Sequence, residues 1–144
     1  MHEFHYVIEF LIGSMTIQFF AIESRILHTA FYTLKKNPLY APFLEELRFR
    51  TNNCFPWSDE VHQEFFGLGT SGCILPLCPT FHDCFVSKNL QDRWLEKTRE
   101  HFSRTEQEIL SNMAKELSQA LLPEEHKNTK DEIESLENVL KNPH

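Results

Sequence analysis

The sequence carries no excess of positive charge. Its 14 lysines and arginines stand against 21 aspartates and glutamates, which gives a formal net charge of −7 at pH 7 with neutral histidines. Such a chain has no general positive field to attract nucleic-acid phosphates or an anionic membrane surface. We therefore expect neither nucleic acid nor a membrane among its partners.

The sequence also lacks a long uninterrupted hydrophobic run. The apolar N-terminal stretch is broken by Glu9, Gly13, Ser14 and Gln18, and no basic segment precedes it. This pattern fits neither a secretory signal nor a membrane span. We therefore expect a cytoplasmic protein whose cysteines are reduced thiols rather than disulfides. These cysteines are Cys54, Cys73, Cys78 and Cys84.

Glycine is scarce, since the 144 residues include only four, and three of them lie in the segment GLGTSG at residues 67–72. This segment lacks the Lys-Ser/Thr pair of a phosphate-binding loop and the glycine spacing of a dinucleotide-binding motif. Phenylalanine is abundant by contrast, with thirteen copies. That number suits a core that lines a cavity or holds a planar ligand, or a core that is simply rich in phenylalanine.

Apolar residues recur at helical spacing over most of the chain. Residues 15–36 present one wide apolar face and are predicted to form one helix. Residues 90–121 are predicted to be helical with a joint at Ser103, because Glu106 three residues later completes a capping-box pattern. Residues 3–12 fit either a helix or one strand of a hairpin, and we prefer the helix.

Ser58 is predicted to cap a further helix, because Asp59 and Glu60 follow it in the first turn. After Pro123 the chain is charged and polar, and its last apolar residues have the spacing of a short amphipathic helix. The sequence therefore predicts an all-α protein. Its expected organisation is one domain at residues 1–122, followed by a polar C-terminal extension at residues 123–144.

The middle of the chain contains metal-ligand residue types in the pattern C-x4-C-x3-H-x-C, formed by Cys73, Cys78, His82 and Cys84. These residues suit tetrahedral zinc, but their spacing differs from the paired cysteines of structural zinc sites. A nucleophilic pair of Cys78 or Cys84 with His62 or His82 is chemically feasible in the same segment. Incidental thiols are the commoner explanation for such residues.

Four short motifs follow one another in a particular order along the chain. Phe31-Tyr32 lies near the end of a predicted helix, the corner NPLYAPF at residues 37–43 presents Phe43, His82 follows some forty residues later, and Trp94-Leu95 begins the next helix. This series resembles the truncated haemoglobins, the short two-over-two globins. The resemblance extends over roughly residues 22–122.

The resemblance implies a globin-like two-over-two helical sandwich that binds haem b, here with an extra N-terminal helix and a C-terminal helical extension. His82 would be the proximal ligand of the haem iron. Tyr32 would donate a hydrogen bond to an iron-bound ligand, and Phe43 would pack against the porphyrin. Phe31 and Trp94 would line the pocket. The distal wall would be completed by one of three residues that the sequence does not distinguish: Trp57, His62 or Phe65.

The function implied by the resemblance is the binding of a diatomic gas, oxygen or nitric oxide, at the iron. Nitric oxide dioxygenase or peroxidase-like activity is compatible with such a site, and a reductase and a second copy of the chain would be candidate partners. Two alternatives come from the residues themselves. One is a helical interaction or regulatory protein without a cofactor, and the other is a zinc-binding Cys/His protein.

Overall fold

The structure is a computed structural model, and it describes residues 2–52, 54–123 and 129–141. Within these ranges the chain forms six α-helices, one short 3-10 helix and five short strands. In chain order these elements are α1 (Phe4–Ser14), β1 (Phe19–Ala21), α2 (Ser24–Lys35), the 3-10 helix (Ala41–Leu44), β2 (Arg50–Asn52), β3 (Phe55–Trp57), α3 (Asp59–Thr70), β4 (Leu75–Pro76), β5 (Asp83–Phe85), α4 (Lys88–Arg99), α5 (Arg104–Ala120) and α6 (Lys130–Lys141).

The all-α prediction is wrong, because the fold is mixed α/β and contains two small antiparallel sheets. The helix predicted over residues 15–36 is interrupted by β1, and α2 begins only at Ser24. Glu23 sets this start, because its carboxylate accepts hydrogen bonds from the backbone N–H groups of Arg25 and Ile26. All three residues of β1 are buried. A short strand buried on both faces has no period-2 pattern, so periodicity alone could not separate it from a helix.

The larger sheet has the order β1-β5-β4, and it joins segments that are distant in the chain. Phe20 pairs with Cys84, and Leu75 pairs with Phe85. The smaller sheet is the β2–β3 hairpin, in which Arg50 pairs with Trp57. Because the fold is mixed α/β with two sheets, the chain does not form the all-α two-over-two helical sandwich that the globin resemblance implies.

The helical part of the core is built around α1, which packs against α4 and α5. Its central turns, residues 7–13, are all buried. The closest approach is at Gly13, where an added Cβ would lie 2.9 Å from the Gln91 carbonyl oxygen and 3.0 Å from the Leu95 nitrogen. The Gln91 amide donates to the Ile12 carbonyl oxygen at 3.0 Å. Glycine is therefore required at position 13 for α4 to contact α1.

The local helix signals are confirmed. Of the predicted residues 3–12, residues 4–12 are helical within α1, and Glu3 is its extended N-cap residue. Ser58 caps α3 by accepting a hydrogen bond from the Val61 N–H. Ser103 and Glu106 form a reciprocal capping box at the start of α5, so the predicted joint lies where expected.

The C-terminal extension contains the predicted amphipathic helix, α6, whereas residues 124–128 and 142–144 of the extension lie outside the described residues. Glu137 of α6 accepts hydrogen bonds from the Lys88 N–H at 3.1 Å and from the Gln18 amide at 3.0 Å. The division at residues 122 and 123 stays a prediction. No helix in the described ranges is both long and apolar enough to cross a membrane.

Candidate functional site

The residues expected to bind haem lie in different surroundings. Phe31 of α2 is fully buried, and its ring centroid lies 5.9 Å from that of Phe65. Its neighbour Tyr32 is exposed and contacts Phe49 edge-on at 5.4 Å, with the Lys36 ammonium 4.4 Å from its ring centroid. The two adjacent aromatic residues therefore lie on different faces of α2, with Phe31 in the core and Tyr32 at the surface.

Phe43, Trp94 and His82 are equally dispersed. Phe43 is buried, and the His2 ring stacks on it with centroids 4.8 Å apart. Trp94 is buried in α4. His82 is exposed just before β5, and its carbonyl oxygen accepts the N–H of Ile22 at 2.7 Å. His82 thus has a backbone role in joining β1 to β5, and its imidazole lies at the surface.

A haem site would need these side chains around one apolar slot with an imidazole facing it. They line none of the five surface cavities that we describe, whose volumes lie between about 380 and 490 Å³. The residues that the resemblance selects therefore do not fit a haem in this fold.

The cysteine and histidine residues of the middle segment are also separated by burial. Cys84 is buried in β5, and burial raises the pKa of its thiol well above the ordinary value, with the charge of Asp83 acting in the same direction. Cys78 is exposed, and Cys73 is half-buried. Among the residues that the structure describes, no group of three or more His, Cys, Asp or Glu side chains is placed to hold a metal ion.

A different site lies between α2, α3 and the β4–β5 hairpin. There a cavity of about 420 Å³ opens to the surface, and we call it the aromatic groove. Its volume is in the range of known ligand sites. Its lining combines apolar and aromatic side chains with a few polar groups: Ile22, Ser24, Leu27, His28, His62, Phe65, Phe66, Gly69, Thr70, Ile74, Pro76 and Phe81.

The floor of the groove belongs to the protein core. Leu27 of α2, Phe65 of α3 and Ile74 after α3 are all buried. Phe65 lies on the same face of α3 as Val61, one turn earlier, and that face packs inward. His62 and Phe66, each one residue further along α3, lie on the adjacent face and also line the groove.

One wall of the groove is formed by His28, His62 and Phe66, whose rings are linked through Trp57, a residue that does not itself line the groove. His28 lies almost parallel to Trp57, with an interplanar angle of 11° and centroids 4.2 Å apart. Trp57 is 5.1 Å from His62, which is in turn 5.9 Å from Phe66. The Trp57 indole N–H donates to the Asp59 carboxylate at 2.8 Å, which holds the tryptophan ring in place. The wall therefore runs from a buried imidazole to an exposed phenyl ring.

The rim carries two large apolar side chains in contact with water. Phe66 is 64% exposed and Phe81 is 55% exposed. Phe81 also has a φ of 59°, in the left-handed region that bulky residues avoid. That conformation costs an L-residue roughly 1–2 kcal/mol. The loop before β5 thus holds a phenyl ring in solvent, in an unfavourable backbone conformation.

His28 is the buried polar group of the groove, with only 1% of its surface exposed. Its Nδ1 accepts a hydrogen bond from the Ser58 N–H at 3.0 Å, so Nδ1 carries no proton. The pKa of His28 is lowered to about 4, chiefly by burial and also by the charge of His62, while Asp59 acts in the opposite direction. His28 is therefore a neutral imidazole at neutral pH.

Three residues at this site were selected from the sequence as candidates for the distal wall of a haem pocket. His62 and Phe65 line the aromatic groove, and Trp57 borders it. Phe66 and Phe81 were not selected. The available signal for Phe66 was its place one turn after His62 on the polar face of α3, where a phenyl ring has no structural reason to be.

We compared the chain with protein-family models, with curated proteins and with solved structures, and found no match. The function must therefore be inferred from the geometry of the site itself.

Proposed function

We propose that this protein is an interaction module that binds an apolar segment of a partner protein in the aromatic groove. The observation that carries this proposal is the pair of exposed rings, Phe66 and Phe81, on the rim of an apolar cavity. A small ligand confined to the cavity would leave much of both rings in water. A polypeptide segment can insert one apolar side chain into the cavity and cover both rings with its neighbours.

The energetics of such a contact favour a groove of this composition. Aromatic side chains at a concave surface contribute most of the binding free energy in protein interfaces. Fully burying a phenylalanine side chain is worth about 1.5–3 kcal/mol, and Phe66 and Phe81 each have more than half of that area available. The stacked rings of His28, Trp57 and His62 are already ordered, so little side-chain entropy is lost on binding.

The backbone of Phe81 supports the same proposal. Strained residues concentrate at functional sites, where the strained conformation presents a side chain that the function needs. An exposed position in the left-handed region would suit asparagine or glycine better than phenylalanine. A role of the Phe81 ring in binding accounts for a phenylalanine at that position.

The charge of the site argues for protein rather than nucleic acid as the partner. A helix that precedes a hairpin, as α3 precedes β4–β5 here, could in principle meet DNA, since helix-turn-helix proteins place a helix in the major groove. Fold alone does not determine function. Here α3 has no lysine or arginine and includes Asp59, Glu60 and Glu64, and residues 77–82 of the hairpin are also without a cation. Such a surface repels phosphates.

Haem b, a diatomic gas ligand and a reductase stay predictions of the sequence resemblance, as does zinc of the Cys/His pattern. An absorption spectrum of the purified protein tests the first, since a Soret band that is lost in His82→Ala would support haem. Elemental analysis tests the second, since zinc near one atom per chain that is lost in Cys78→Ser would support a zinc protein.

The interaction proposal is tested with a displayed library of random peptides selected against the full chain. We expect the selected peptides to be rich in large apolar residues. Phe66→Asp and Phe81→Asp should each weaken their binding by at least about tenfold, as removal of an aromatic anchor does. Leu39→Asp is the matched control, because Leu39 is 61% exposed and lies outside the groove. Peptides that bind the three variants equally well would refute the proposal.

A further inference from the structure

We propose that His28 determines the specificity of the aromatic groove by donating a hydrogen bond from Nε2–H to an uncharged carbonyl oxygen of the bound segment. This inference rests on the proposed function and adds the chemistry of the inserted group. It predicts that the group entering the cavity is apolar but has a carbonyl acceptor at the point where it meets His28.

The position of the proton follows from the hydrogen bond on the other ring nitrogen. Nδ1 of His28 is an acceptor for the Ser58 N–H, so the neutral ring must carry its proton on Nε2. His28 lines the groove, and its Nε2 forms no hydrogen bond with another residue of the described ranges. The buried ring thus has one satisfied nitrogen and one donor available to an occupant of the cavity.

The direction of this donor is fixed before anything binds. The Ser58 N–H bond holds one edge of the imidazole, and stacking on Trp57 at 4.2 Å holds its plane. Trp57 is itself held by its hydrogen bond to Asp59. A donor with a fixed direction selects an acceptor at a fixed place, because an occupant that covers the donor without accepting its hydrogen bond loses about 1–3 kcal/mol.

The surroundings of His28 favour an uncharged acceptor. No lysine or arginine lines the groove, and the polar groups beside His28 are the hydroxyls of Ser24 and Thr70 and the imidazole of His62. The acidic group nearest this wall is Asp59, which is bonded to Trp57 and Arg50. A carboxylate entering the cavity would lose its hydration without gaining a cation, whereas a carbonyl oxygen loses much less.

The test uses small probes, and it is therefore independent of peptide selection. The full chain, labelled with ¹⁵N in its histidines, is titrated with N-methylbenzamide, N-methylthiobenzamide and benzoate. The thioamide is nearly isosteric with the amide and more apolar, but it is a weaker acceptor. We expect the amide to bind about threefold or more tightly than the thioamide, as follows when most of a hydrogen bond of about 1 kcal/mol is lost. Benzoate should bind more weakly than the amide.

The hydrogen bond itself is observed in the same experiment. Before titration, the ¹⁵N shifts of His28 should show a neutral ring that is protonated on Nε2. Adding the amide should move the Nε2–H proton resonance downfield and slow its exchange with water. This measurement needs no variant, so it stands even if substitutions at position 28 prevent folding.

Two variants separate this role from a merely structural one. His28→Phe keeps a ring against Trp57 and removes the donor, so the more apolar thioamide should then bind at least as tightly as the amide. His101→Phe is the control, because His101 is exposed and lies outside the groove, so its loss should leave the preference for the amide unchanged.

The outcomes distinguish this inference from the proposed function. If both probes shift the groove resonances equally and the Nε2–H signal stays in place, the groove exists but His28 does not select a carbonyl. If none of the probes binds at the groove, the inference is overturned, while the peptide selection with Phe66 and Phe81 variants decides the proposed function separately.

Discussion

Two regions of this molecule are rich in aromatic residues, and they differ in what surrounds the rings. In the helical core Phe10 is 2% exposed and packs edge-on against Phe102 at 5.6 Å. In the aromatic groove Phe66 and Phe81 are mostly in water. The core rings are enclosed by the chain itself, whereas the groove rings lack a covering. Aromatic content alone therefore does not identify a site, but the exposure of aromatic rings beside a cavity does.

The largest loss of stability is expected from a substitution in the helical core. Phe10→Ala should reduce the free energy of unfolding by about 3–5 kcal/mol, because it leaves a cavity among rings that cannot collapse into it. Phe66→Ala should change the same quantity by less than about 1 kcal/mol, since its ring is mostly exposed. Chemical denaturation of both variants measures the difference. If both variants lost the same free energy of unfolding, the rings of the core and of the groove would not differ in their contribution to stability.

The pH dependence of stability is expected to come from the groove. His28 has a pKa of about 4 in the folded protein and an ordinary value of 6.5 when unfolded. Between these values the unfolded chain binds the additional proton, so the free energy of unfolding should fall as the pH is lowered from about 6.5 to about 4, by on the order of 2–3 kcal/mol.

Denaturation midpoints across this pH range test the origin of that decline. His28→Phe should remove most of it, whereas His82→Gln should leave it unchanged because His82 is exposed. A decline of the same size in His28→Phe would assign the pH dependence to another group.

The contact between α1 and α4 offers a test of packing within the core. Gly13→Ala should destabilise the protein by about 1–3 kcal/mol, because the added Cβ would meet the backbone of Gln91 and Leu95 rather than a flexible side chain. Gly67→Ala is the matched control in α3, on the groove side of the molecule. Nothing lies within 4 Å of its added Cβ, so it should stabilise the helix by up to about 1 kcal/mol. Thermal melting of both variants tests this, because the melting temperature should fall in Gly13→Ala and rise in Gly67→Ala.

The smallest expected change in stability is the most informative about the groove. Phe81→Asn removes a half-buried ring but also relieves an unfavourable φ, so the free energy of unfolding should change by less than about 1 kcal/mol. Peptide binding should nevertheless fall at least about tenfold. A clear loss of stability in this variant would mean that Phe81 serves the fold rather than a partner.

Local signals in the sequence were reliable because their physical causes are local. Ser58 and Ser103 cap helices through hydrogen bonds to backbone groups three residues ahead, and such bonds can be predicted from neighbouring residues. The strand at Phe19–Ala21 could not be found in this way, because its partner Asp83–Phe85 lies far along the chain. The order of the haemoglobin-like motifs did not predict the fold class, since order along the chain does not determine which residues are close in the fold.

The sequence alone determined most of the helices of this protein, the serine caps of α3 and α5 and the absence of a positive field, because each depends on composition or on residues within one turn of one another. The tertiary structure decided the rest. It places Phe66 of α3, Phe81 of the hairpin and His28 of α2 around one cavity. It leaves Tyr32, Phe43 and His82 outside that cavity, in separate surroundings. The physical reason is the long-range pairing of β1 with β5, which brings α2 and the hairpin together and which no local pattern encodes.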